Sequence, residues 1–188
     1  MNEAQRLNDF NSYMKGIVSP DFIAWLTDNG FFKAPASTKY HGAYEGGLYD
    51  HSKAVAVVLE DLTGRLTLKW ERPESPRIIG MFHDLCKIDE YQKVVDQEGL
   101  SYFGGAELQK EEAHFERAAS LLHGHGDKSL ILLSRFLPVT YEELLCIRFH
   151  MGAYERDDWD GYDQAIKETV NVLYTHTADM VASKVKGV

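Results

Sequence analysis

Apolar residues recur along this chain mostly at helical spacing. Leu7, Phe10, Met14 and Ile17 form one stripe. Ser19-Pro20 then reads as a cap and first-turn pair, which predicts a second short helix stopping near Asn29-Gly30. These two helices, residues 1–33, read as an N-terminal addition to a core spanning 34–183 within one domain. Leu48, Val55, Val58 and Leu62 predict a helix from Gly47 with Gly64 as its stop. His51 holds a place of its own in that apolar series, so the pattern points it inward. Ser75-Pro76 predicts another helix, whose buried stripe Ile78, Phe82 and Leu85 runs through His83-Asp84.

Lys93 to Phe103 alternates instead, around Glu98-Gly99, which predicts a small hairpin near residues 93–104. Thr140-Tyr141-Glu142-Glu143 has capping-box spacing and predicts a helix running to His150. A last helix, from about Asp163 to Ser183, places Val172, His176 and Asp179 along one side. Long amphipathic helices with a single hairpin define an all-α domain.

Composition narrows the functional classes. At 188 residues and 44% hydrophobic, the chain can bury one substantial core. A formal charge of -9 argues against capture of long nucleic acid, which needs clustered Lys and Arg. A small anionic substrate is still compatible, because bound cations supply positive charge locally. Cys86 and Cys146 lack Cys-x-x-Cys spacing and read as reduced core residues. No apolar run approaches a membrane span and the first residues lack a leader pattern, so the expectation is a cytoplasmic protein without membrane partners.

The chemistry concentrates at His83-Asp84, an imidazole and a carboxylate placed side by side among Ile, Met, Phe and Leu. Such burial is unfavourable unless both groups are coordinated or hydrogen-bonded. His51, His83, Asp84, His125, His150 and Asp179 together offer six nitrogen or oxygen donors, mostly on separate predicted helices that must converge on one core. Imidazole mixed with carboxylate suits one or two divalent transition-metal ions, Mn, Fe, Co, Ni or Zn. Lys87, four residues after His83 and three after Asp84, falls on the same face.

The order His51, His83-Asp84 and a distant Asp179 within Thr175-His176-Thr177-Ala178-Asp179-Met180 resembles the HD superfamily of metal-dependent phosphohydrolases. Tyr40-His41-Gly42-Ala43-Tyr44-Glu45-Gly46-Gly47-Leu48 before the first histidine and His-Asp-x-x-Lys at the second add to the likeness, which covers roughly residues 34–183. The resemblance implies an HD-type helical bundle in which His51, His83, Asp84 and Asp179 hold one metal. It further implies that Asp84 bridges to a second metal held by His125 and His150. His114 and His123 compete with His125 for that role. His125 is preferred because it opens an apolar helix, whereas His114 reads as part of a solvated helical turn.

The activity implied is hydrolysis of a phosphoester in a nucleotide or a short or cyclic oligonucleotide by a metal-bound hydroxide. Asp84 would orient that hydroxide and Lys87 would stabilise phosphoryl charge. His41, Tyr44 or Lys39 could line the mouth, and Arg156 or Trp159, between Gly152 and Gly161, could act from a lid, although a solvated connector is the simpler reading there. A second reading is a diiron oxygenase on the same scaffold, acting on a small polyol or phosphonate. Cys86 stands where relatives often carry glycine.

Overall fold

In a computed structural model, residues 1–96, 112–117, 124–154 and 158–188 are described. Their architecture is mostly helical: α1 Glu3–Tyr13, α2 Pro20–Asp28, α3 Gly47–Leu66, α4 Ser75–Phe82, α5 His125–Leu133, α6 Tyr141–Arg148, α7 Trp159–Glu168 and α8 Asn171–Met180. Short 3₁₀ turns cover Leu85–Asp89 and Gly152–Tyr154, and a π-helical turn over Val181–Lys186 follows α8. Among the described residues no helix is long and apolar enough to cross a membrane.

α3 is the central element, packed along α4 and α8, while α6 lies against α5, α4 and α8. Gly80 lets α3 and α4 approach closely, because a Cβ there would sit 2.3 Å from the Ala56 Cα. Gly126 does the same between α5 and α6, where a Cβ would meet the Arg148 carbonyl oxygen at 2.3 Å. The two N-terminal helices share the main core: Phe22 stacks on Phe136 at 4.8 Å between ring centroids and lies 5.1 Å from Phe82. Burying aromatic rings of this size contributes roughly 1.5–3 kcal/mol each.

Several predicted boundaries are confirmed by their caps. Ser19 Oγ accepts from Phe22 N at 3.2 Å, and at Thr140 both halves of the capping box form. Four expectations about helix ends are corrected. α3 runs past Gly64 to Leu66 and ends at Thr67, whose φ of 52° makes the left-handed turn. Ser75 does not cap α4; its hydroxyl donates instead to Glu143 Oε1 at 2.8 Å. α6 ends at Arg148, so His150 lies just beyond it.

The last predicted helix is two, α7 and α8. It breaks at Thr169, which is extended (φ -146°, ψ 123°) and donates through Oγ1 to Glu142 Oε1 at 2.9 Å. A side-chain hydroxyl that binds elsewhere competes with helix continuation.

The hairpin exists with another partner strand. β1, Tyr91–Asp96, pairs antiparallel with β2, Glu112–Arg117, and Val94 lies opposite His114. The predicted turn at Glu98-Gly99 and strand to Phe103 lie outside the described residues. His114 therefore belongs to a strand, and the helical-turn reading of its segment is corrected.

Candidate metal centre

The six predicted donors come from five helices and their ends. His51 is on α3, His83 caps the end of α4, Asp84 follows it, His125 opens α5, His150 lies just past α6 and Asp179 is in the last turn of α8. His51, His83 and His150 are fully buried and Asp84 is 2% exposed. The C-terminal ends of α4 and α6 both face this cluster, and the negative end of a helix dipole favours a cation.

Backbone carbonyls fix the imidazoles. His51 Nδ1 donates to the Val188 oxygen at 2.9 Å, His83 Nδ1 to the Gly80 oxygen at 2.9 Å and His150 Nδ1 to the Ile147 oxygen at 2.7 Å. In each ring the proton on Nδ1 leaves the lone pair on Nε2, the tautomer that ligating histidines adopt. The three Nε2 atoms point into the cluster. His51 Nε2 and His83 Nε2 face one another at 3.3 Å, two lone pairs with no proton between them. Asp84 Oδ1 and His150 Nε2, both buried, have no hydrogen-bond partner among the described residues. Orphaned buried polar atoms are rare and costly, and a cation between them removes the cost.

Asp84 divides the cluster into two halves. Its Oδ2 lies 3.7 Å from His51 Nε2 and 3.4 Å from His83 Nε2, and His51 is itself 3.2 Å from Asp179 Oδ1. Its Oδ1 lies 3.5 Å from His125 Nδ1 and 3.4 Å from His150 Nε2. Three overlapping groups of donor atoms are close enough to hold an ion: His51, His83 and Asp84; His83, His150 and Asp179; and Asp84, Cys86 and His125.

Burial works against the charge of Asp84, yet Lys87 and His83 hold its carboxyl well below the ordinary range. Asp179 is likewise held low against its burial, chiefly by His51. Burial pushes the His83 pKa down, keeping the ring neutral. His125 behaves oppositely: its contacts with Asp84 and then Cys86 raise it to about 10.

Lys87 is 7% exposed, and its Nζ sits on Asp84 Oδ2 at 2.6 Å. Burial lowers its pKa, but the Asp84 pair outweighs this and raises it. His41 reaches the site, its ring centroid 4.9 Å from that of His51. Burial and then the neighbouring His51 and Lys87 push its pKa down to about 4. Tyr44 turns away, donating to Asp50 at 3.1 Å, and Lys39 is exposed. Arg156 and His123 lie outside the described residues, as does the side chain of His114. Trp159 is 54% exposed at the start of α7.

Sequence reasoning missed Cys86, read there as inert core. The missed signal is the helix end: α4 stops at Phe82 and Asp84 leaves helical geometry (φ -106°, ψ 22°). On a continuous helix a residue two places after Asp84 would face away. The break turns Cys86 back, 3.8 Å from His125 Nδ1. His176 was also missed as a support: its Nδ1 donates to the His150 carbonyl oxygen at 2.8 Å.

The chain matches no protein-family description, no curated protein and no solved structure.

Proposed function

We propose that this protein is a metal-dependent phosphohydrolase of HD type, acting on a nucleotide or a short or cyclic oligonucleotide with one or two divalent transition-metal ions. The observation that carries the reading is the Asp84 carboxylate offering one oxygen to each of two pairs of imidazoles, Oδ2 to His51 and His83 and Oδ1 to His125 and His150. His51, His83, Asp84 Oδ2 and Asp179 would hold one ion; Asp84 Oδ1, His125 and His150 would hold the other. When bound, such ions lower the pKa of water and neutralise phosphoryl oxygens.

The chain's own residues do the rest. Asp84, kept ionised by Lys87 and His83, orients the water that attacks phosphorus. Lys87 keeps its positive charge beside Asp84, where it stabilises charge building on the phosphoryl group. His41, neutral near pH 7, can hydrogen-bond a substrate oxygen without adding charge. The acidic chain, at -9, favours a small substrate over a long polyanion.

A panel of mono-, di- and cyclic dinucleotides with Mn, Co or Ni, assayed anaerobically, tests the reading. Release of phosphate or nucleotide, abolished in Asp84→Asn, is the expected result. Turnover that consumes oxygen and requires iron would replace hydrolysis with the oxygenase reading. Absence of hydrolysis with every metal and substrate would overturn the proposal.

A further inference from the structure

We infer that Cys86 is a thiolate ligand in the second half of the centre, making that half a sulfur-containing site chemically unlike the first. The inference rests on the metal-centre reading above and adds a donor that the six-residue set lacks.

Cys86 Sγ, Asp84 Oδ1 and His125 Nδ1 form a close triad, with all donor atoms within 4.8 Å of one another. Sγ to Nδ1 is 3.8 Å, Nδ1 to Oδ1 is 3.5 Å, and His150 Nε2 lies 3.4 Å from the same Oδ1. For a tetrahedral zinc-like ion, bonds of about 2.3 Å to sulfur and 2.1 Å to nitrogen or oxygen put S and N about 3.6 Å apart. The same bonds put N and O about 3.4 Å apart. The Sγ–Nδ1, Nδ1–Oδ1 and Nε2–Oδ1 separations therefore match those of a tetrahedral shell to within roughly 0.2 Å.

An independent observation points to a ligand at this spot. Asp84 Oδ1 and His150 Nε2 are buried, have no hydrogen-bond partner among the described residues, and lie 3.4 Å apart. The position of Cys86 is also held: its backbone N–H donates to Ser129 Oγ at 3.0 Å. Ser129 is fully buried on α5, the helix that begins with His125. One hydrogen bond thus ties the turn carrying the thiol to the helix carrying the imidazole. Cys146, equally buried on α6, is in none of the three donor groups.

On coordination the S–H bond breaks, its proton leaves to solvent, and the sulfur lone pair forms the bond to the cation. Thiolate with imidazole and carboxylate favours Zn, Co or Fe(II) over Mn or Mg, whereas the sulfur-free half accepts harder ions. The centre would then be mixed, with each half preferring a different metal.

Cobalt(II) titration of the metal-stripped chain tests this through absorption. Wild type and Cys146→Ser are expected to develop a near-ultraviolet thiolate-to-cobalt band as the second equivalent binds. Cys86→Ser, close in size, should lose the band and bind that equivalent at least about tenfold more weakly, with far-UV circular dichroism confirming that it folds. Two cobalt ions bound without the band, or a band that persists in Cys86→Ser, would overturn the thiolate role and leave the metal centre standing. No cobalt binding by wild type would overturn both.

Discussion

Helices α4, α6 and α8 each begin in one buried polar cluster and end in another, and the two clusters differ in one physical respect. At the starts, the buried carboxylates are matched by hydrogen-bond donors. Glu143, fully buried, receives Arg72 through two bonds, Nε to Oε1 at 2.7 Å and Nη2 to Oε2 at 2.6 Å, together with the hydroxyl of Ser75. Glu142 accepts from Thr169, Asn171 and the Glu71 amide. Carboxylates at helix starts also suit the dipole. What is left over there, among the described residues, is a neutral amide oxygen, Asn171 Oδ1.

At the ends, imidazole lone pairs face each other, and a carboxylate oxygen and a ring nitrogen are left without partners. Burial of charge is common to both clusters, so it does not distinguish function from scaffolding. The incomplete pairing does, because folding alone gives no reason to keep it.

The largest effect expected from breaking this contrast comes from the incomplete cluster. His83→Ala should weaken metal binding by more than about 100-fold, beyond the loss typical of outer supporting partners, and abolish hydrolysis. Calorimetric metal titration and circular dichroism check it. At 100 times its dissociation constant the metal should stabilise wild type by about 2.7 kcal/mol, and the variant should lose that gain. Retention of wild-type affinity would show that His83 is a structural imidazole.

Arg72→Ala addresses the matched cluster and should act in the opposite currency. It leaves the Glu143 carboxylate buried and unpaired, which costs about 3–5 kcal/mol of stability in such cases, read by urea unfolding. Metal affinity of the folded fraction should not change. A drop of tenfold or more in that affinity would show that the two ends of α4, α6 and α8 are coupled and that the contrast is too sharp.

Lys87→Met sharpens the comparison within the metal centre, since it removes a charge that is paired there. The ammonium on Asp84 is replaced by an apolar chain of similar length, so binding of cobalt or manganese should survive while kcat falls by about 10²–10³-fold. An unchanged kcat would reduce Lys87 to a counterion for Asp84.

How far these clusters could be read from the sequence follows from the range of the forces involved. Ser19-Pro20 and Thr140 through Glu143 mark their helices because caps act over three residues. His51 and Asp179 declare themselves by position in an apolar series. The break at Thr169 was invisible, because the cause is Glu142, far away in sequence. Ser75 looked like a cap for the same reason: Glu143, 68 residues on, takes its hydroxyl. Cys86 was read as core because local periodicity extends a helix that tertiary packing ends. The partner of β1 was missed because pairing between strands well apart in sequence leaves no local signature.

The smallest and most discriminating effect lies in pH. In the metal-free protein, burial depresses His83, so between its folded value and the ordinary value near 6.5 the unfolded chain binds more protons. Stability is therefore lost as pH falls below about 6.5. Asp84 and Asp179, also depressed, contribute stability above about 4 that is lost as pH falls through their folded values. His125 has the opposite sign: raised to about 10, it stabilises fully below about 6.5 and less as pH climbs to that value.

Metal-free stability should thus peak near neutrality and decline on the alkaline side by at most about 1.4 kcal/mol per pH unit. His125→Gln should flatten that limb in urea unfolding. With saturating metal that slope should vanish, because a ligating imidazole must be deprotonated and binding strengthens with pH by as much as the metal-free stability falls. Among the described residues no group of donors at the matched cluster is placed to hold an ion, so that cluster gives no such metal-dependent change of slope. An alkaline limb with the same downward slope in the presence and absence of metal would therefore place His125 outside the centre and erase the physical difference between the two ends of the helices.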